Sequence, residues 1–374
     1  MNRFESLAAP GVRELAPYVP GKPPEQLERE IGIKDSIKLA SNENPLGPGP
    51  RARTALAAAL SGVGMYPDGS GHVLRSRLAE KHGVSLGQVT LGNGSNDILV
   101  LLAETFLTPG LAAVYSQYAF AVYPNAVQAS GATARVAPAH PPDHPMPIGH
   151  DPDAMLATLD SRTRMVILAN PNNPTGTWLT AQELDALLRA IPPDVIVVLD
   201  EAYHEYSAAA GVPDGAQWLA RHPNLVITRT FSKAYGLAGL RVGYALSHAD
   251  LADLLNRVRQ PFNVSVPALA AAAAALDDRE HLDATIALNR AGIARLRAGL
   301  AALQVPAPAS AGNFVLANLR RPATPVNDAL LRQGVIVRPL ANYGLTNHLR
   351  ITTGTAAQNE RLLTAMSAAL AAGS

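Results

Sequence analysis

Between about residues 88 and 246, short runs of valine, isoleucine and leucine alternate with longer segments in which apolar positions recur at the spacing of an amphipathic helix. This alternation is typical of an α/β fold, in which a largely parallel sheet is covered by helices. Most of the runs end in polar or glycine-rich clusters, at the strand ends where open α/β sheets bind ligands. The predicted strands cover residues 88–91, 112–115, 132–137, 164–169, 195–200, 225–230 and 242–246.

The pattern changes after Gln260. An alanine-rich segment at 269–276 is too short to span a membrane and predicts a buried helix. Shorter apolar runs at 313–319, 335–338 and 348–351 then predict a second, smaller α+β domain.

The start of the chain is rich in proline, and because X-Pro units favour extended backbone, we predict an ordered arm there. We therefore divide the chain into an N-terminal arm that belongs to the small domain, a large domain with a mostly parallel seven-stranded sheet, and a small C-terminal domain. The predicted ranges are 1–45, 46–261 and 262–374.

Composition narrows the classes of function. The chain has 374 residues, of which 48% are hydrophobic and 16% charged, and its formal net charge is +1. It contains no cysteine, which excludes disulfides and thiolate chemistry. No apolar run approaches the roughly 20 residues of a membrane helix, no secretory signal is visible, and the basic residues form no stripe that would bind nucleic acid. We expect a cytoplasmic protein whose partners include neither membrane nor nucleic acid.

Histidines and prolines are concentrated in the segment 138–147. His140 and His144, with His150 just beyond, lack the cysteine or carboxylate spacing of a metal site. We interpret the segment as a surface loop and predict no metal site.

Lys233 is the strongest candidate for covalent chemistry. It follows the predicted strand 225–230, stands next to Ser232 and precedes Arg241 by eight residues. A lysine must lose its proton to attack a carbonyl, and burial beside other cations lowers its pKa. Arg241 could bind a phosphate bidentately, assisted by the hydroxyls of Thr230 and Ser232. The alternative is a solvated lysine in a glycine-bearing loop.

Asp200 ends a run of apolar residues in the predicted strand 195–200. Desolvation of a carboxylate there is costly unless a cation compensates its charge, and a protonated pyridine nitrogen would be such a cation. Tyr203, three residues later, could bind a phenolate oxygen on the same ring. A strand-end aspartate is also common as a helix N-cap or as a Mg²⁺ ligand.

Two Asn-Pro pairs follow the predicted strand 164–169. Because prolines restrict the backbone, Asn173 is held with little conformational entropy left to lose, and its amide could bind a ring hydroxyl. The alternative is a tight turn without a ligand.

A glycine-bearing segment, 92–97, precedes the apolar helix predicted at 98–106. Glycines at a helix N-terminus leave backbone N–H groups free to bind a phosphate. A dinucleotide-binding fingerprint would need a third glycine in place of Asp97, so a single phosphate fits better. The alternative is an N-cap turn that uses Ser95 or Asn96.

Together these segments resemble the fold-type I enzymes of the class I and II aminotransferase family, which depend on pyridoxal 5'-phosphate (PLP). Within that family the resemblance is greatest to the histidinol-phosphate aminotransferases, and it extends from about Val12 to the last predicted helix. Its further signatures are Tyr18-Val19-Pro20-Gly21-Lys22-Pro23, Ser41-Asn42-Glu43-Asn44-Pro45-Leu46-Gly47-Pro48, Tyr66-Pro67-Asp68 and Leu349-Arg350.

The resemblance implies a role for each cofactor-binding candidate. Lys233 would hold PLP as a Schiff base and move protons, Asp200 would pair with the pyridinium nitrogen, and Asn173 with Tyr203 would contact the ring oxygen. Tyr118 would stack on the ring. The residues implied to bind the phosphate are Gly94, Ser95, Asn96, Thr230, Ser232, Arg241 and, from the neighbouring subunit of a homodimer, Tyr66.

Four further residues are implied to bind the substrate. Arg350 would bind the α-carboxylate with Asn42 nearby, and Tyr18 and Arg338 would contact the distal group. The implied reaction is transamination between histidinol phosphate and 2-oxoglutarate or glutamate, in histidine biosynthesis. Which arginine binds the substrate phosphate stays open.

The chain departs from the usual family pattern at Asn96-Asp97, where Asp-Glu is more common. This departure leaves an aromatic or broad-range amino-acid aminotransferase as the main alternative. A PLP-dependent phosphothreonine-type decarboxylase and a PLP-fold regulator are more distant alternatives.

Overall fold

The computed structural model describes residues 3–17 and 20–371. The strands are β1 Ile37–Lys38, β2 Val89–Gly92, β3 Ala112–Ser116, β4 Thr133–Ala137, β5 Thr163–Ala169, β6 Ile196–Asp200, β7 Leu225–Thr230, β8 Gly243–Ser247, β9 Phe314–Asn318, β10 Val335–Ile336, β11 Arg338–Leu340 and β12 Leu345–Thr352. The α-helices are α1 Pro10–Arg13, α2 Pro24–Ile31, α3 Pro50–Ala59, α4 His72–His82, α5 Ser95–Phe106, α6 Val122–Ala129, α7 Pro152–Ala157, α8 Ala181–Ala190, α9 His204–Ser207, α10 Ala249–Val258, α11 Val266–Ala275, α12 Arg279–Ala302, α13 Ala323–Arg332 and α14 Ala356–Ala371.

The large sheet has seven strands in the order β2-β8-β7-β6-β5-β3-β4. From β7 to β4 all neighbours are parallel, whereas β8 is antiparallel to both β2 and β7. The seven strands predicted between residues 88 and 246 are all present, and none of their ends differs from the prediction by more than one residue. The α/β prediction with a mostly parallel sheet is therefore confirmed.

Both faces of this sheet are covered, as the continuous apolar runs require. Val197 and Leu199 of β6 belong to the core cluster on one face, which also contains the helical residue Leu78. Ile196 and Val198 belong to the cluster on the other face. Successive side chains of a strand point to opposite faces, so β6 contributes to both cores while its last residue reaches the sheet edge.

Two smaller sheets are formed by strands of the C-terminal part of the chain together with β1 from the N-terminal part. One is antiparallel with the order β11-β12-β9, and the other pairs β1 with β10 in parallel. The prediction of a single strand at 335–338 was wrong: Val337 separates two strands that pair in different sheets. The two-residue strand β1 was not predicted, because a run this short carries no periodicity.

The alanine-rich segment forms α11, whose buried residues include Ala268 and Ala271, as predicted for a buried helix. This helix packs in the core cluster of the large sheet, so the predicted domain boundary at 262 does not coincide with the packing. The following helix, α12, is 24 residues long and buries Leu296 and Leu300 in the core of the C-terminal part. The division into domains remains a prediction.

The predicted non-helical arm is present only in part: residues 14–17 and 20–23 are non-helical, whereas α1 precedes them at Pro10–Arg13 and α2 begins at Pro24. Proline at the first helical position loses no hydrogen bond, because that N–H has no partner within a helix. The histidine-rich segment 138–147 contains no helix or named strand, and the rings of His140 and His144 stack at 3.6 Å. None of the helices in the described part of the chain has the length and apolar character needed to cross a bilayer.

Candidate active site

The polar clusters at the strand ends meet in a cleft of about 200 Å³ at the carboxyl ends of β5, β6 and β7. Residues of β11 and β12 close its other side. The predicted site residues that line this cleft are Asn42, Ser95, Asn96, Asn173, Asp200, Tyr203, Thr230, Ser232, Lys233, Arg241, Arg338 and Arg350. One cavity therefore unites the four motif segments and the C-terminal arginines.

Lys233 lies just beyond β7 and points into the cleft. Its Nζ donates a hydrogen bond to the carbonyl oxygen of Ser41 at 3.1 Å and lies 6.0 Å from the centre of the Tyr203 ring. Burial and the positive charge of Arg350 lower the pKa of Lys233 to about 8, with Glu43 opposing them. A lowered pKa is the property that a nucleophilic lysine requires.

Asp200 is the last residue of β6 and is almost fully buried. Its Oδ2 accepts a hydrogen bond from the Tyr123 hydroxyl at 2.8 Å, and its Oδ1 accepts from the Thr228 hydroxyl at 3.1 Å and from the Ala202 N–H at 3.2 Å. Burial raises the pKa of Asp200, and these three donors oppose the rise. Since a carboxylate has about four acceptor positions, it can still bind a cationic N–H from the cleft.

Two hydrogen-bonded side-chain pairs lie on the cleft wall: Asn42 with Tyr203, and Arg350 with Asn173. The Asn42 amide donates to the Tyr203 hydroxyl at 2.8 Å, and Arg350 Nη1 donates to Asn173 Oδ1 at 2.5 Å. Burial raises the pKa of Tyr203 to about 12, so its hydroxyl stays protonated at neutral pH and can donate a hydrogen bond to a ligand oxygen.

The N-terminus of α5 has the features of an anion site. Gly94 precedes the helix with φ of 81°, and no side chain caps the helix. The capping alternative for Ser95 or Asn96 is therefore not realised; instead, Asp97 accepts a hydrogen bond from the Asn93 N–H at 2.8 Å. The first N–H groups of the helix are left for a ligand, and the helix dipole favours an anion there.

Arg241 and its neighbours complete this anion site. The Arg241 guanidinium donates to Ser232 Oγ at 3.2 Å and to the Ala238 carbonyl oxygen at 3.0 Å. A Cβ atom on Gly94 would come too close to Arg241 Nη2 and would displace this guanidinium, and the φ of 81° at position 94 also favours glycine. Thr230, whose hydroxyl is predicted to bind the phosphate, lines the same cleft.

Arg338 and Arg350 are neighbours across two strands. They are direct partners in the register of β11 and β12, so both side chains lie on one face of the small sheet. Arg350 is nearly buried, donates to the Ala40 carbonyl oxygen at 2.5 Å and lies 5.5 Å from the centre of the Phe314 ring. Two adjacent guanidinium groups make this end of the cleft suitable for anionic groups.

Among the described residues, three predicted site residues do not line the cleft, namely Tyr66, Gly94 and Tyr118. Tyr118 packs against the cluster that contains Leu340, while Phe120 lines the cleft in the same segment. Tyr66 is 82% exposed and stacks on Phe262 at 4.7 Å. Tyr18 lies outside the described residues. Gly94 contributes through its contact with Arg241 rather than by lining the cavity.

Sequence reasoning missed the residues that support Asp200. Thr228 is the register partner of Asp200 and lies two residues before Thr230, so the alternation of β7 places both threonines on one face. That alternation was a usable signal. Tyr123 follows no motif, and its contact with Asp200 joins α6 to β6 across the core, which sequence spacing does not reveal.

A buried ion pair lies on the other face of the same strands. Glu201 follows Asp200, Arg229 follows Thr228, and Arg229 donates two hydrogen bonds to Glu201 Oε2, at 2.9 and 2.6 Å. This ion pair connects the residue that follows β6 to β7, next to the strand ends that line the cleft. Glu201 and Asp214 also lie near His204 in a metal-like spacing, but the Arg229 guanidinium binds both carboxylates.

The chain is similar to known proteins over almost its whole length. The model of the family "Aminotransferase class I and II" matches residues 34–366. Histidinol-phosphate aminotransferase 2 of Pseudomonas fluorescens is 56% identical over 370 residues, which cover 98% of each chain. The protein of the same name from Methylococcus capsulatus is 56% identical over 361 residues, or 96% of this chain and 97% of the relative.

Among solved structures, the histidinol-phosphate aminotransferase of Sinorhizobium meliloti, in complex with pyridoxal-5'-phosphate, is 29% identical and superimposes with a TM-score of 0.90. The match covers 100% of this chain and 99% of that chain. The resemblance and the fold type inferred from the sequence are thereby confirmed. The chain belongs to the class I and II aminotransferase family.

Proposed function

We propose that the protein is a PLP-dependent aminotransferase that moves the amino group between histidinol phosphate and the glutamate/2-oxoglutarate pair, in histidine biosynthesis. The observation that carries the proposal is that Lys233, Asp200 and the Arg338–Arg350 pair line one cleft. The high identity to named histidinol-phosphate aminotransferases supports this choice of substrate.

The residues present fit three groups of PLP. An amine of lowered pKa, a buried carboxylate with acceptor capacity left, and an uncapped helix N-terminus beside Arg241 match the aldehyde, the pyridine nitrogen and the phosphate. When bound, PLP supplies an aldehyde that condenses with amines and a ring that withdraws electrons from the reacting carbon. We assign the aldehyde to Lys233, the ring nitrogen to Asp200 and the ring oxygen to Asn173 and Tyr203.

Lys233 has two roles in this proposal. Its Nζ would hold the cofactor, and as a free neutral amine it would take a proton from the substrate carbon that bears the amino group. The lowered pKa makes the neutral form available near neutral pH. The Ser41 carbonyl oxygen, which accepts a hydrogen bond from Nζ, orients the free amine.

Asp200 balances the positive charge of the protonated ring nitrogen. Removing one partner of a buried ion pair costs about 3–5 kcal/mol, so the carboxylate and the ring stabilise each other strongly. The phosphate is assigned to the N–H groups of Ser95 and Asn96, the hydroxyls of Thr230 and Ser232, and Arg241. These groups supply both charge and directed donors.

Arg338 and Arg350 let one cleft serve two different substrates. Glutamate carries two carboxylates, whereas histidinol phosphate carries a phosphate ester and no carboxylate. Because the arginines are cross-strand partners, each anionic group meets a guanidinium without any large rearrangement. We assign the α-carboxylate of glutamate to Arg350, with Asn42 nearby, and the distal group of either substrate to Arg338 and Tyr18.

We further propose a cytoplasmic homodimer in which Tyr66 reaches the phosphate in the neighbouring subunit. Tyr66 is exposed together with Leu60, Val63, Met65 and Phe262. Contiguous exposed apolar groups of this kind are typical of protein interfaces.

The test is a comparison of amino donors with the purified holoenzyme. Histidinol phosphate, phenylalanine and O-phosphothreonine are each supplied with 2-oxoglutarate, and glutamate and carbon dioxide are measured. We expect the highest kcat/KM for glutamate formation with histidinol phosphate. A higher value with phenylalanine would favour an aromatic aminotransferase, and carbon dioxide release without a keto acid would favour a decarboxylase.

A further inference from the structure

The carboxylate of Asp200 accepts hydrogen bonds from two side-chain hydroxyls. Tyr123 donates to Oδ2 at 2.8 Å, and Thr228 donates to Oδ1 at 3.1 Å. The residues that donate lie on different elements, Tyr123 on α6 and Thr228 on β7. Together they fix both oxygens of the carboxylate and therefore its rotation about the Cβ–Cγ bond.

Tyr123 has no exposed surface and little freedom to move. Its relative exposure is 0%, and its ring packs edge-on against Phe120, with the ring centres 5.9 Å apart and an interplanar angle of 87°. Burial and the negative charge of Asp200 raise the pKa of Tyr123 well above its usual value. The phenol therefore stays protonated and acts only as a donor to the carboxylate.

Hydrogen bonds to a carboxylate weaken it as a base, because they stabilise the ionised form. At Asp200 burial acts in the opposite direction and raises the pKa, while the bond from Tyr123 is the strongest of the groups that lower it, followed by that from Thr228. Without these donors, a buried carboxylate would compete for the proton of any pyridinium group bound beside it.

We propose that Tyr123, assisted by Thr228, is a positioning residue for the reaction: it fixes the Asp200 carboxylate and keeps the shared proton on the cofactor's ring nitrogen. This inference rests on the proposed function. Neither hydroxyl is among the residues that line the cleft, so both act through Asp200. A protonated ring withdraws electrons better than a neutral one, so losing either donor slows the chemical step more than it weakens substrate binding.

The direct test uses Tyr123→Phe and Thr228→Val with PLP labelled with ¹⁵N at the ring nitrogen. NMR of the loaded protein reports whether that nitrogen is protonated, independently of turnover. We expect the resonance of both variants to move toward that of neutral pyridine. We also expect kcat to fall roughly 10- to 100-fold, the effect of one hydrogen bond to a charged group, with KM little changed.

Two matched variants control for the loss of a buried hydroxyl. Tyr115→Phe alters a nearly buried tyrosine on β3, and Thr90→Val alters a fully buried threonine whose hydroxyl has no hydrogen-bond partner among the described residues. Both should keep the wild-type resonance and kcat. Because Thr228→Val preserves side-chain shape, it still tests the proposal if Tyr123→Phe fails to fold.

An unchanged ¹⁵N resonance in folded Tyr123→Phe or Thr228→Val would overturn the proposal, whatever happens to kcat, since a purely structural role moves stability and not the ring proton. An equal shift in the two controls would overturn it as well. Failure of the proposed function would give a different result, because the wild-type protein itself would then bind no PLP at Lys233 or transfer no amino group.

Discussion

The amine of Lys233 is reactive because of the groups around it rather than because of its own segment. Burial and the cations Arg350, Arg241 and Lys38 disfavour its charged form, and Glu43 alone among the named groups favours it. A solvated lysine, the alternative open from the sequence, would have none of these neighbours. The motif thus identifies the residue, and the fold around the cleft provides the lowered pKa.

The pH dependence of cofactor uptake follows from this lowered pKa. Only the neutral amine attacks the PLP aldehyde, and the neutral fraction of Lys233 grows as the pH rises through about 8. The rate of PLP uptake by the cofactor-free protein should therefore increase across that range and level off above it. Stopped-flow absorbance measures the rate, and a profile still rising toward the ordinary lysine pKa would contradict the assignment.

Arg350 provides a second test at the scale of one residue. Arg350→Ala should reduce kcat/KM for glutamate by the equivalent of about 2–5 kcal/mol, because a carboxylate in the cleft would lose its charged partner. Arg350→Lys keeps the charge but loses the bidentate geometry and should give an intermediate loss. Steady-state kinetics with glutamate as the varied substrate measures both, and wild-type values for Arg350→Ala would reject this role.

Single residues were predictable from the sequence where a motif surrounds them. Lys233 and Asn173 follow an apolar strand in a distinctive segment, Asp200 ends one, and all three line the cleft. Tyr123 and Phe120 could not be found in this way, because their positions depend on how α6 packs against the sheet. The stacking of Tyr118 on the cofactor ring stays a prediction, because Tyr118 does not line the cleft.

At the scale of elements, strand order turns distant motifs into one site. The ends of β5, β6 and β7 are adjacent in the sheet, although their residues are far apart in sequence. Continuous apolar runs predicted these strands closely, since a buried strand leaves a clear hydrophobic signal. The signal fails for β1, β10 and β11, which are two or three residues long and owe their conformation to their partners.

The close contact between β8 and the start of α5 leaves no room for a side chain at Gly243. A Cβ atom on Gly243 would lie 2.5 Å from the Ser95 nitrogen and 2.8 Å from the Arg229 carbonyl oxygen. Gly243→Ala must therefore move backbone, and we expect a loss of about 1–3 kcal/mol in the free energy of unfolding together with weaker PLP binding.

Gly239→Ala is the matched control, because a Cβ atom there meets nothing within 4 Å. Chemical denaturation and PLP titration of both variants measure the two effects. If Gly243→Ala bound PLP and unfolded as Gly239→Ala does, the close approach of β8 to the phosphate site would be refuted.

At the scale of the whole molecule, an apolar surface is exposed to solvent in the single chain. It is formed by Leu60, Val63, Met65, Tyr66 and Phe262. Phe262 and Leu91 of β2 line one small cavity, so this surface lies toward the β2 edge of the large sheet. The family resemblance implies a site shared through Tyr66, and the proposed homodimer would cover this surface.

Met65→Asp should therefore shift the protein toward monomer and weaken PLP binding at the same time, because a charge is placed in an apolar interface and the partner's phosphate contact is lost. Val136→Asp is the control: Val136 is also exposed but lies on β4, at the opposite edge of the sheet. Sedimentation equilibrium with and without PLP measures both. A wild-type monomer that binds PLP tightly would argue against the shared site.

The central claim is that one particular amine carries the cofactor, and it can be tested by reducing the holoenzyme with borohydride and mapping its peptides by mass spectrometry. Reduction fixes PLP covalently to whichever lysine holds it. We expect the label on the peptide that contains Lys233 and none in Lys233→Ala. A label on another lysine, such as Lys81 or Lys38, or no label at all in the wild-type protein, would contradict the account.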